Sequence, residues 1–202
     1  LYNTLDSVLW VMKQNRTEDA ETLLYSLSEF FKLSLSRGRD MIPLREEVDL
    51  IRHYLRIQQL AYQKDIEFEC DVAEELEEYP IAKLSLQPIV ENSVLHGFAG
   101  YSEEGVIRLR AWTEGDAVLI ALEDDGLGML EDEVENINAI LRQSARPAEF
   151  THFGLYNINR RIAQAYGPEY GLTVSSEFNV FTRVELRLPR TPGKEEENRD
   201  VL

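Results

Sequence analysis

VIRLRAWTEGDAVLIALEDDGLGM, residues 106–129, is the stretch on which the fold turns. Val106 to Thr113 and Ala117 to Glu123 read as two strands, joined by the turn Glu114-Gly115-Asp116. The second strand runs into Asp124, with Gly126 and Gly128 behind it, so a carboxylate stands at a strand end beside backbone without side chains. Downstream, Gly126 to Phe153 has mixed character, with a short helix around Glu133 to Leu141. A helix over Leu155 to Tyr166 and strands over Leu172 to Glu177 and Phe181 to Leu188 complete this half. Upstream, Ile66, Phe68 and Cys70 alternate with charges as in a strand, and Glu74 to Glu78 is an acidic, solvated loop. Leu84 to Phe98 reads as a helix, with Pro88 inside its first turns where a missing N–H costs little. Hairpin-connected strands with helices interspersed predict an α+β sandwich rather than a doubly wound sheet.

The first third is helical by period. Leu1, Leu5, Leu9 and Met12 recur at three- and four-residue steps, which predicts one apolar face. Asn15-Arg16-Thr17 reads as a turn, with Thr17 a candidate N-cap and Glu18 and Asp19 in the first turn of a second helix. Its stripe is Leu23, Leu27, Phe30 and Phe31 and fades at Ser36-Arg37-Gly38. After Pro43 a third helix places Leu44, Val48, Ile51 and Leu55 together. This is a helical hairpin plus a connecting helix, whose ordinary meaning is a bundle core.

The chain has 202 residues, enough for one domain with an appendage or two small domains, and 44% hydrophobic with 29% charged residues is ordinary for a globular protein. A net charge of -16 argues against coating nucleic acid, which needs Lys and Arg against phosphates. It leaves a nucleotide ligand open, because triphosphate binding depends on local donors and a metal. Cys70 is the only cysteine, so no internal disulfide forms. No apolar run approaches a membrane helix, and the chain opens with Leu1 on a helical pattern, which predicts a fragment of a longer protein.

Three motifs occur in order. In LQPIVENSVLHG, residues 86–97, Asn92 and His96 are four apart and share a helix face. An amide oxygen is a fair Mg²⁺ ligand, and His96 could donate to a phosphate, although such polar pairs as often satisfy only each other. In EDDGLGM, residues 123–129, Asp124 can accept the exocyclic amine of adenine while Gly126 and Gly128 let backbone pass close to a flat ring; in isolation the same residues make an ordinary Asp-Gly turn. In HFGLYNINRRI, residues 152–162, Gly154 precedes a helix start whose free N–H groups suit an anion, and Arg161 on that helix is a further candidate phosphate ligand.

The ordered set resembles the N, G1 and G2 boxes of the ATPase fold shared by gyrase, a heat-shock chaperone, MutL and histidine kinases. Within that superfamily, residues 1–188 resemble LytS/YesM-type bacterial sensor histidine kinases. LYNTLDSVLWVM is similar to the stretch after that family's phosphoacceptor histidine, IPLREEVDLIRHYLRIQQLAY to its linker, and LQPIVENSVLHG to its N box. The resemblance implies a Bergerat-type ATP-binding sandwich over 64–189, preceded by truncated dimerisation and phosphoacceptor helices over 1–63 and followed by a flexible tail over 190–202. It implies Asn92 as the Mg²⁺ ligand, Glu91 as the acidic residue assisting phosphoryl transfer and Asp124 as the adenine acceptor. Gly126 and Gly128 would shape the pocket, Gly154 and Leu155 would close a lid over the phosphates, and Thr182 stands near the adenine. The implied cofactors are ATP and Mg²⁺. The implied partners are a second copy in the full-length protein and a response regulator receiver domain, on the cytoplasmic side of an inner-membrane sensor.

Three positions depart from the pattern. Leu95 stands where many histidine kinases have Lys, His152 replaces the first glycine of the lid end, and Phe181 replaces the glycine before the final Thr. An ATP hydrolase of the same fold would need a basic Glu one turn before Asn92, where this chain has Pro88. A pseudokinase or dimeric scaffold is the other alternative, and Glu91, Asn92 and Asp124 weigh against it. Residues 126–153 are expected to form a nucleotide-ordered lid. The family's acceptor histidine would precede Leu1, and His53 lies among charges as a surface residue, so the fragment is expected to bind ATP without phosphorylating itself.

Overall fold

The computed structural model describes residues 2–35, 40–98, 104–143 and 153–191. Three helices come first: α1 (Tyr2–Lys13), α2 (Thr17–Ser34) and α3 (Leu44–Tyr62). A short strand β1 (Met41–Pro43) precedes α3 and pairs with β3 (Pro80–Ala82), burying Ile42 against Ile81. Three-residue strands carrying Pro43 and Pro80 lack the alternation that would announce them, so this small sheet was not foreseen.

The main sheet has the order β2 (Asp65–Val72), β4 (Glu104–Glu114), β5 (Ala117–Asp124), β7 (Phe181–Pro189) and β6 (Gly171–Glu177). All its ladders are antiparallel except β2 with β4, whose connection passes through α4 (Gln87–Asn92). Helices α5 (Glu131–Leu141) and α6 (Phe153–Tyr166) lie between β5 and β6 in the chain. The mixed α+β architecture is the one expected, with each predicted strand in place.

Alternation along β5 sends Val118, Ile120 and Leu122 into the same core as Ile107 and Leu109 of β4 and Val184, Leu186 and Leu188 of β7. Helices α4, α5 and α6 and the first half of α3 cover that face, contributing Ile89, Ile137, Ile158, Ile162, Val48 and Ile51. Edge strand β6 would otherwise present unpaired backbone. Asn138 of α5 supplies its missing partner: the amide donates to the Val174 carbonyl at 2.7 Å and accepts from the Val174 N–H at 2.9 Å. Asn159 of α6 accepts from the Leu172 N–H at 2.7 Å while donating to the Leu141 carbonyl.

A second, smaller core joins the hairpin to the end of α3: Val8, Val11, Ala20, Leu23, Leu27, Ile57 and Leu60. Helix α3 therefore serves two cores, the sheet through its first half and the hairpin through its second. Among the described side chains of α1, Val8 and Val11 are buried, whereas Leu9 and Met12, expected inside, are 57% and 52% exposed; Leu1 and Leu5 lie outside the described side chains. Both phases fit a three- and four-residue repeat, and packing against α2 selected the β-branched one. Thr17 is the first helical residue of α2 rather than its cap, and Arg16 stands at the cap position, its guanidinium donating to Asp19 Oδ2 at 2.7 Å rather than capping the backbone. The acidic stretch forms a single 3₁₀ turn, Glu74–Leu76, that buries Leu76. The helix expected over 84–98 starts three residues later, at Gln87, and its last turn, Ser93–Gly97, widens to π geometry.

The adjacent leucines of α2 test this packing. Leu23→Ala, at a fully buried site, should cost about 2–5 kcal/mol, and Leu24→Ala, half exposed, no more than about 0.5 kcal/mol. Urea unfolding of the two variants measures both, and similar losses would mean that the hairpin is packed in another phase.

Candidate nucleotide site

The inward alternation that buries Val118, Ile120 and Leu122 continues to Asp124, so the last residue of β5 places a carboxylate in the core, 3% exposed. Its neighbours across the ladder are Ile107 on β4 and Thr182 on β7, with Ser176 of β6 beyond. Two donors meet the carboxylate: the Ser93 hydroxyl donates to Oδ2 at 2.6 Å and the Gly126 N–H to Oδ1 at 3.2 Å. Burial pushes the Asp124 pKa up; these two hydrogen bonds oppose the shift, and the charges of Asp125 and Glu123 add to it.

Above this carboxylate lies a cavity of about 420 Å³, within the range that small-molecule sites occupy. Ile89, Leu122, Leu127, Met129, Leu155 and Val184 form its apolar wall, and Asn92, Ser93, His96, Glu133 and Thr182 supply polar groups. The Asp-Gly segment is pressed against the end of α4. The Leu127 N–H donates to the Gly97 carbonyl at 2.8 Å, and a Cβ on Gly126 would collide with that same carbonyl oxygen. Gly97 itself lies so close that a Cβ there would stand 2.8 Å from Asp124 Oδ1. Gly128 has φ +64°, and a side chain would run into the Glu177 carbonyl. The loop is then fixed to the β6–β7 turn: the Met129 N–H donates to Ser176 Oγ at 2.8 Å and the Asn179 N–H to the Leu127 carbonyl at 2.6 Å.

Of the residues singled out in the sequence, Asn92, His96, Asp124, Gly128, Leu155 and Thr182 line this one cavity. Gly126 stands behind the Asp124 carboxylate, and Gly154 at the start of α6 lies against Asn92, where an added Cβ would be 3.8 Å from Nδ2. Glu91 is turned away from the cavity, accepting from Gln87 Nε2 at 2.6 Å, with its charge felt by the Tyr54 hydroxyl on α3. Arg161 is not brought to the cavity: seven residues beyond Gly154, it donates to the Lys83 carbonyl at 2.6 Å. Two turns of α6 carry it away from the helix start. His53 is half-buried, with its ring edge-on to Tyr25 at 5.9 Å, rather than a free surface residue. His152 and the end of the expected lid lie outside the described residues.

Ser93 and Gly97 were missed, though both lie inside the quoted LQPIVENSVLHG, four residues apart on the side that meets Asp124. Leu122 and Val184 could have been found by counting back two residues from Asp124 and forward two from Thr182.

Residues 81–192 match the family described as histidine kinase-, DNA gyrase B- and HSP90-like ATPase. The chain belongs to this family. Residues 1–66 match a second family, described as histidine kinase. The sensor histidine kinase YesM of Bacillus subtilis is 31% identical over 94% of this chain and 31% of its own length. The sensor protein LytS of Bacillus cereus is 27% identical over 98% of this chain and 33% of its own length. The chain thus spans about a third of the curated relatives it matches. The solved structure of histidine kinase ThkA in complex with response regulator protein TrrA has a TM-score of 0.54 at 18% identity, covering 91% of this chain and 51% of that one, which is a likeness of fold.

For this ATPase-family chain, the buried carboxylate makes a pH prediction. Folded Asp124 holds its proton more tightly than the unfolded residue does. Its contribution to stability is therefore fully present below the unfolded pKa and is lost as pH rises through the folded value. Asp124→Asn should flatten the fall in unfolding free energy across that window, read by urea titration at a series of pH values. A parental slope in the variant would show that Asp124 is not the group responsible.

Proposed function

We propose that the cavity binds Mg-ATP and that the chain is the catalytic region of a sensor histidine kinase, which transfers the γ-phosphate to a histidine for relay to a response regulator aspartate. The observation that carries this reading is the Asp124 carboxylate, buried at the floor of an apolar cavity with both its oxygens already oriented. An apolar slot with one fixed acceptor suits a flat base bearing an amine donor, and the side-chain-free backbone at Gly126 lets the Gly97 backbone close against it and hold that acceptor in place. Asn92 and His96 extend the polar lining away from that acceptor, where a triphosphate would lie.

In this reading Asp124 accepts the adenine amine, with Thr182 beside it on the ladder. Asn92 holds Mg²⁺, which when bound offsets phosphate charge. His96 donates to a phosphate, and Leu155 and Gly154 at the start of α6 close over the chain of phosphates. Glu91, on the far side of Asn92 and facing α3, stands toward the helices and assists transfer there. Pro88 one turn before Asn92 supplies no base for hydrolysis. We divide the chain into helices over 1–63, the ATP-binding domain over 64–189 and a tail over 190–202. Exposed Leu9, Met12 and Leu24 on the hairpin support a second copy as partner in the full-length protein. No helix of the described residues is long and apolar enough to cross a membrane, and the membrane attachment of such a sensor would come from other segments.

Asp124→Ala leaves two buried donors and the bound base without their acceptor, so ATP affinity should fall by roughly one to two orders of magnitude in a folded protein. Unchanged affinity by calorimetric titration would remove the pocket assignment. Asn92→Ala should make ATP binding indifferent to Mg²⁺, and a variant that responds to the metal as the parent does would show that Asn92 is not its ligand. None of His53, His96 and His152 stands in the family's acceptor context. The 202-residue chain should therefore bind ATP without acquiring acid-labile phosphate, and such a label at His53 would overturn the acceptor assignment.

A further inference from the structure

Among the described residues, the most deeply buried charged side chain is unused by this site. Glu47, on the first turn of α3, is fully buried. Its carboxylate receives three successive backbone N–H groups from the turn that leads into α4: Leu84 on Oε1 at 2.5 Å, and Ser85 and Leu86 on Oε2 at 3.1 and 3.0 Å. The turn is held from its other side as well. Arg161 of α6 donates to the Lys83 carbonyl, and the Ser85 hydroxyl donates to the Ala82 carbonyl at 2.5 Å. Leu84 sits at φ +59°, a left-handed conformation that a residue with a branched side chain adopts only when its surroundings impose it.

A buried carboxylate is a costly way to fill a core position, and an apolar residue of similar volume packs as well. What a carboxylate can do and an apolar residue cannot is accept several N–H groups at fixed angles. The turn it fixes is followed directly by the helix that carries Asn92 and Ser93. The helix it stands on reaches the hairpin core through Ile57 and Leu60. The carboxylate is thus a joint between the hairpin-bearing helix and the helix at the cavity.

We propose that Glu47 is a positioning residue for the nucleotide site, setting α4 against α3 so that Asn92 reaches the metal and Ser93 reaches Asp124. The inference rests on the nucleotide reading of the cavity. Glu47→Gln keeps the shape but replaces one acceptor oxygen with an amide NH₂ facing N–H donors, so the turn and α4 must shift. Ile51→Val, one turn along α3 in the same core, removes a methyl without touching the turn.

The test is titration of the 202-residue chain with ATP, with and without Mg²⁺, alongside thermal melting of both variants. In Glu47→Gln the Kd in Mg²⁺ should rise roughly tenfold and the advantage given by Mg²⁺ should largely vanish. Ile51→Val should keep the Mg²⁺ advantage and a Kd within about twofold of the parent. A folded Glu47→Gln with parental Kd and Mg²⁺ response, whatever its melting temperature, would overturn the proposal and leave Glu47 a stability residue only. A parent that binds no ATP would overturn the nucleotide reading, and this inference with it. Should Glu47→Gln not fold, Arg161→Met loosens the same turn at Lys83 and should raise the Kd about threefold. A parental Kd there would mean that the turn does not set the site.

Discussion

The Asp124 carboxylate in the sheet core is the interaction from which the rest of the site follows. A charged group taken out of water is tolerated only where donors replace its solvation. Here those donors come from α4, through the Ser93 hydroxyl, and from the backbone just past β5, through the Gly126 N–H. Satisfying the carboxylate therefore draws the end of α4 down onto the end of β5. At such short range neither Gly97 nor Gly126 has room for a side chain, and the strand end becomes the floor of a cavity rather than packed core.

Helix α4 is held by carboxylates at both ends. Glu47 gathers the backbone before its first turn, and Asp124 receives a hydroxyl from its last. Between them lie only two turns, the second widened to π geometry at Ser93–Gly97. A short helix fixed at both ends presents Asn92 to the cavity and Glu91 to α3 in one arrangement. The surrounding polar groups work in the same economical way. Asn138 and Asn159 satisfy edge strand β6 and join it to α5 and α6, so the cavity wall at Met129 and Leu155 stands on a sheet edge that is closed.

The strands of the main sheet were legible because alternation is a short-range property, and the hairpin at Glu114-Gly115-Asp116 needed only a turn residue able to take φ +57°. The helix stripes on α2 and α3 were legible for the same reason: Leu23, Leu27, Val48 and Ile51 all went inside. Helix α1 was misread in phase, because an apolar residue can satisfy the period without facing the core, as Leu9 and Met12 do. The same limit applies to Arg161. Its place on a helix that begins at a candidate anion site said nothing of direction, and seven residues carried it to the Lys83 carbonyl instead.

By itself the sequence determined the helices and the strands of the main sheet, their order and several of the cavity-lining residues, because periodicity, turn chemistry and motif spacing act between residues close in the chain. Asn92 and His96 on one helix face and Asp124 at a strand end needed nothing more. Tertiary structure alone decided the pairings between strands distant in the chain, including the parallel pairing of β2 with β4. It also decided that Ser93 would meet Asp124, 31 residues away, and that Glu47 would bond Leu84, Ser85 and Leu86, 37 to 39 residues away. Such contacts form wherever burying a polar group leaves it only distant partners, and no local pattern marks which partner the folded chain will supply.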